Sequence, residues 1–103
     1  MKKIIYLQDE KNIFQKYEYE NISDLNEEFK KRNITIEYNT RIGEWARIGN
    51  NSSIRAWARI GNSASIGEWA RIGEWARIGN SASVGVWSRI GNSASIGDRA
   101  ALS

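Results

Sequence analysis

The sequence predicts a mainly β protein, a short parallel solenoid of coiled strands behind a small N-terminal ββα cap. Three observations predict it. Eleven aliphatic residues, Ile42, Ile48, Ile54, Ile60, Ile66, Ile72, Ile78, Val84, Ile90, Ile96 and Leu102, recur every six residues without a slip. All nine glycines directly follow one of these aliphatics, and Arg55 takes the glycine place once. Four residues after each of Ile42 to Ile96 stands an alanine or a serine. Self-similarity at a fixed period is the signature of a repeat architecture.

A period of six does not suit a helix face. It suits short strands joined by corners, because alternate residues of a strand point to one side. In Ala46-Arg47-Ile48-Gly49 the Ala and the Ile point one way and the Arg the other. The next pair, such as Asn62-Ser63 or Glu74-Trp75, makes the corner, where Asn and Ser tolerate turn backbones. One repeat cannot bury its apolar side alone, but stacked repeats can. The pattern aliphatic-Gly-x-x-small-x resembles the hexapeptide-repeat family over residues 40–103. That resemblance implies a left-handed parallel β-helix in which three hexapeptides complete one triangular coil. The repeat Ile, Gly and Ala are then core and corner.

Residues 1–39 have a different composition. They hold all six lysines, Arg32 and eight acids, whereas residues 41–103 hold eight arginines, no lysine and four acids. Lys3–Leu7 and Ile13–Glu20 have strand composition and flank the polar turn Asp9-Glu10-Lys11-Asn12. Ser23 is placed to cap a helix over 24–32, with Leu25 and Phe29 on one face and Asn33 as its stop. Ile34–Tyr38 reads as a strand leading into the first coil. The unit is expected to cover the N-terminal end of the solenoid, since bare coil ends expose apolar residues and unpaired backbone.

At 103 residues the chain is one domain's worth of sequence. It has no cysteine, so no disulfide and no compartment is implied. The apolar run after Met1-Lys2-Lys3 is only Ile4-Ile5-Tyr6-Leu7, too short for a signal-peptide core, and no transmembrane run occurs. A cytoplasmic location is the default expectation, in the host cytoplasm if the chain is phage-encoded.

The resemblance also implies chemistry that the residues do not support. The family's best-known members are acyltransferases with a histidine general base, and related members bind zinc through histidines. This chain has no histidine. It also lacks the long loops that the transferases insert between coils. The four acids of the repeat part, Glu44, Glu68, Glu74 and Asp98, fall at corners and are expected to be solvated. The glycines belong to the period, so none forms a phosphate loop. The expectation is a non-enzyme with no catalytic residue, no metal site and no cofactor. Ice binding, which uses ranks of threonine, is disfavoured by a chain whose only threonines are Thr35 and Thr40.

The informative residues point outward. Residues three repeats apart stack about 4.8 Å from one another. This places Trp57 under Trp75, and Arg41, Arg59 and Arg77 in one rank. On the neighbouring side Trp69 lies under Trp87 and Arg71 under Arg89. The third side, with Trp45 and Arg47 followed by serines, reads as nearly bare. These two Trp/Arg blocks are the candidate binding residues. One reading makes them structural, with Arg stacked over Trp by cation–π contact and Glu relieving the repulsion. The other makes them a recognition surface for an acidic protein, a ribonucleoprotein or a nucleic acid. Size and style resemble accessory proteins of phages and mobile elements, among them anti-CRISPR inhibitors of host defence. The leading expectation is therefore a binder, inhibitor or adaptor. The alternatives are a structural assembly piece or a degenerate transferase-like protein. Self-association through the C-terminal end or the bare side is expected, as a dimer in preference to a trimer.

Overall fold

The computed structural model describes residues 2–102. In chain order it has strands β1 (Lys3–Gln8) and β2 (Phe14–Tyr19), a 3-10 turn (Ile22–Leu25) and helix α1 (Asn26–Lys31). Twelve very short strands follow. They are β3 (Thr35–Ile36), β4 (Arg41–Ile42), β5 (Ala46–Ile48), β6 (Ser53–Ile54), β7 (Arg59–Ile60), β8 (Ser65–Ile66), β9 (Arg71–Ile72), β10 (Arg77–Ile78), β11 (Ser83–Val84), β12 (Arg89–Ile90), β13 (Ser95–Ile96) and β14 (Ala101–Leu102).

Every third short strand joins the same sheet, so the chain is a triangular β-solenoid with three faces. The first face has the order β14-β11-β8-β5-β1-β2, the second β13-β10-β7-β4 and the third β12-β9-β6-β3. All contacts between coils are parallel and in register, for instance Ile42 beside Ile60 and Ile60 beside Ile78. The aliphatic of each repeat therefore stacks on the aliphatic one coil away. Ile48, Ile54, Ile66 and Ile72 are essentially inaccessible to solvent, as are Ala46, Ala58, Ala64, Ala70, Ala76 and Ala82. Each buried Ile contributes roughly 1.5–3 kcal/mol. The rank starts earlier than the glycines suggest, since Ile36 pairs with Ile54 and already belongs to the solenoid.

The glycines are not there for an unusual backbone, because none has a positive φ. They allow the coils to approach. A β-carbon on Gly61 would lie 2.6 Å from the backbone N of Asn80 and from the carbonyl carbon of Gly79. The left-handed backbone falls instead on the second corner residue, among them Asn51, Ser63, Ser81, Ser93 and all five tryptophans. Asn62, Asn80 and Asp98 complete the corners. Their side-chain oxygens accept the N–H groups of Glu44, Asn62 and Asn80, each at 2.9 Å.

The N-terminal unit is part of the first sheet. β1 pairs with β2 in a hairpin and runs parallel to β5, bringing Ile5 beside Ala46 and Leu7 beside Ile48. Tyr19, Leu25, Phe29 and Ile34 join the same hydrophobic core and close its N-terminal end. Ser23 does not cap the helix. The chain turns earlier, because the Asp24 carboxylate accepts the N–H groups of Asn21 at 3.0 Å and Glu20 at 3.2 Å. This is an acid reaching back in the manner of a capping box. Those two bonds hold its pKa below the usual carboxylate value, and α1 is shortened to six residues. Asn33 does end the helix, in the left-handed conformation at φ 55°. Ile34 N–H reaches Phe29 O and Asn33 N–H reaches Lys30 O, a Schellman arrangement.

Candidate binding faces

The outward side chains follow from the register. On the second face Arg41, Arg59 and Arg77 lie side by side on β4, β7 and β10. On the third face Arg71 and Arg89 lie on β9 and β12, followed downward by Ser53 and Thr35. All five arginines are exposed. Among the described residues none of them has a carboxylate within ion-pair distance; Arg55 is the repeat arginine that has, with Glu37 at 2.9 Å and Glu74 at 3.9 Å. Arg55 stands in the glycine phase directly above Glu37, and this pair explains the one break in the glycine series. The Arg55 guanidinium and the Ala56 N–H hold the Glu37 carboxyl below its ordinary pKa.

Each tryptophan precedes its rank by two residues and stands on the adjoining corner. Trp57 and Trp75 stack with ring centroids 5.0 Å apart and planes 3° apart, and Trp69 and Trp87 at 4.8 Å and 2°. Each pair closes its two facing ring sides, and the outer ring faces and the edges stay open to solvent. Trp75 is 56% and Trp87 66% exposed. A groove runs along the solenoid axis between the Trp57/Trp75 ladder and the Arg41/Arg59/Arg77 rank, and a similar one lies beside Trp69/Trp87 and Arg71/Arg89.

Two supports expected of a purely structural role are missing among the described residues. No arginine lies over a tryptophan. The cation–π contacts are Arg32 over Tyr17, and Arg47 over both Tyr6 and Phe14. No glutamate pairs with the ranked arginines either. The tryptophans also sit where their backbone is unfavourable. A bulky residue in the left-handed region is strained, by roughly 1–2 kcal/mol. The same corner carries asparagine or serine elsewhere in this chain. Changing Trp57 and Trp75 to Asn, as at Asn39 in the same column, trades relief of that strain for about 0.5–1.5 kcal/mol of ring stacking and some buried area. The double variant is expected to stay within about 1 kcal/mol of wild type in urea unfolding. A loss above about 3 kcal/mol would make the ladder a structural element.

The third side of the sequence reading is not bare. β1 carries Tyr6 beside Arg47, and Trp45 lies 6.0 Å from the Tyr6 ring. Nor are all the corner acids simply solvated. Glu68 is half-buried and accepts a 2.8 Å hydrogen bond from Gln8 Nε2, while Gln8 Oε1 accepts the N–H of Asn50. Both features come from the hairpin, whose place in the first sheet rests on pairing between residues about forty positions apart.

Residues 46–80 match the family model of the bacterial transferase hexapeptide (six repeats). The repeat part of this chain is a hexapeptide-repeat β-solenoid. Neither the curated proteins nor the solved structures compared with it gave a match. Among the described residues no three His, Cys, Asp or Glu side chains gather into a metal-binding group, and no helix is long and apolar enough to cross a membrane.

Proposed function

We propose that this protein is a non-enzymatic binder, an inhibitor or adaptor, that uses its arginine ranks and tryptophan ladders to hold an anionic macromolecule. The observation that carries the reading is the rank of Arg41, Arg59 and Arg77, which has no carboxylate partner among the described residues. Like charges side by side in a sheet are destabilising. The chain replaces the same outward position by serine at Ser65, Ser83 and Ser95, so the fold does not require arginine there. A phage-type anti-defence role is one setting for such a binder.

Tryptophan fluorescence during titration with poly-L-glutamate and with oligouridylate tests the reading. Arg59→Ser/Arg77→Ser is compared with Lys11→Ser/Lys30→Ser, which removes the same charge from the cap. Binding is expected to fall at least ten-fold in the arginine variant and much less in the lysine variant. Equal losses would reduce the effect to net charge. The absence of histidine and cysteine gives a second expected outcome, no turnover of acetyl-CoA with any acceptor and no carbonic-anhydrase activity above a heat-killed control.

A further inference from the structure

Resting on that reading, we propose that the groove of the second face takes an acidic amphipathic helix of a partner protein, lying along the solenoid axis. Four features of the groove select this ligand. Its ends are lined by Asn39 and Thr40 on one side and by Ser93 and Ser95 on the other. These side chains are small and uncharged, so no bulky or charged lining residue closes either end to a linear ligand.

Its two walls differ in chemistry. One is the edge of the Trp57/Trp75 ladder and the other is the rank of Arg41, Arg59 and Arg77. A ligand that uses both must carry an apolar stripe beside an acidic stripe along its length. The walls start two residues apart in sequence, the tryptophans on the corner and the arginines on the strand that follows it.

The repeat along the axis also discriminates. Neighbouring strands are about 4.8 Å apart, so three arginines span about 9.6 Å. On a helix, positions i and i+7 are about 10.5 Å apart along the axis, with i+3 or i+4 between them. Three helical carboxylates therefore stay in step with three arginines. Alternate side chains of an extended strand advance about 6.7 Å and are out of step by the second rung.

Single-stranded nucleic acid fits less well. It gains sequence-tolerant affinity by stacking bases on aromatic faces. Here the facing sides of Trp57 and Trp75 are closed on each other, at 5.0 Å and 3°. One outer face of each ring remains at the two ends of the ladder, too few for a run of stacked bases, and between them lies an apolar ridge of the kind that helix-in-groove recognition uses.

The test uses three probes of similar charge. The first is a synthetic Leu/Glu peptide patterned so that its leucines and glutamates form adjacent helical stripes. The second has the same composition in scrambled order, and the third is oligouridylate. The patterned peptide is expected to bind at least ten-fold more tightly than either, and to gain helical circular dichroism on binding. It should lose that margin in both Arg59→Ser/Arg77→Ser and Trp57→Asn/Trp75→Asn. Equal binding of patterned and scrambled peptides would overturn the helix proposal. So would tighter binding of oligouridylate, and if that binding is lost in Arg59→Ser/Arg77→Ser the Trp/Arg binding function stands without the helix. No binding of any probe would overturn both.

Discussion

Gly61→Ala is expected to lower stability by about 3 kcal/mol, within the usual range for overpacking a tight interior. The sign runs against the ordinary rule. A glycine with a negative φ is normally a place where alanine stabilises, by about 0.4–1 kcal/mol, through the unfolded chain. Here the new β-carbon meets backbone, at 2.6 Å from Asn80 N and from Gly79 C, and that backbone is pinned to the next coil by Gly79 N–H to Ile96 O and Asn80 N–H to Asp98 Oδ1. The neighbouring Arg59 N–H bond to Ala76 O and the Gly61 N–H bond to Ile78 O are the contacts a forced separation would weaken. Gly91 provides the matched control, because a β-carbon there meets nothing within 4 Å. Gly91→Ala is expected to be neutral or slightly stabilising. Urea unfolding of the two variants side by side checks this. Equal behaviour would show that coil spacing is looser than the structure has it.

The second large effect is expected from Arg32→Ala. Arg32 sits at the end of α1 with its side chain only 10% exposed. Its Nε donates to Gln8 O at 2.6 Å, its Nη1 to Glu28 O and Oε1, and its Nη2 to the Tyr17 hydroxyl at 2.8 Å. One guanidinium thus ties the helix to both strands of the hairpin. Its loss leaves the Gln8 carbonyl, the Tyr17 hydroxyl and the Glu28 carboxylate without these partners, at a cost of about 3 kcal/mol. The effect has a pH signature. Bonding to Arg32, with a smaller Coulombic contribution from Lys31, holds the Glu28 pKa below its ordinary value. A depressed carboxylate stabilises the fold above its unfolded pKa, and that contribution is lost as pH falls through the lower folded value. Wild type should therefore lose stability on acidification below the ordinary carboxylate range, and Arg32→Ala should lose less. Unfolding midpoints at neutral and acidic pH decide it. A variant as stable as wild type at neutral pH would mean that the cap is held by its apolar residues alone.

The solenoid was legible because its information is periodic. Ile42 to Leu102 declare the strands, and the three-repeat spacing alone places Trp57 under Trp75 and Arg59 under Arg77. Ile36 escaped that reading because its neighbours break the pattern. Glu37 stands where glycine is usual and bonds to Arg55 instead, and Thr40 stands where a smaller residue is usual. The hairpin was legible as two strands, but not its place in the first sheet. Parallel pairing of Ile5 with Ala46 leaves no local trace, so neither the company of Tyr6 and Phe14 around Arg47 nor the half-burial of Glu68 could be read in advance. At the candidate site, the sequence showed which side chains line up. It did not show that these arginines have no carboxylate partner among the described residues or that each tryptophan pair closes its two facing ring sides, because both depend on rotamers that the period leaves open.

The central claim is that the arginine rank of the second face serves a partner and not the fold. Urea unfolding of Arg59→Ser/Arg77→Ser at low and at high salt tests it most directly. If the claim holds, the variant unfolds at an equal or higher urea midpoint than wild type at low salt, with the difference shrinking as salt screens the stacked charges. A midpoint lowered by more than the equivalent of about 1 kcal/mol at both salt concentrations would contradict it, and would make the rank part of what holds the coils together.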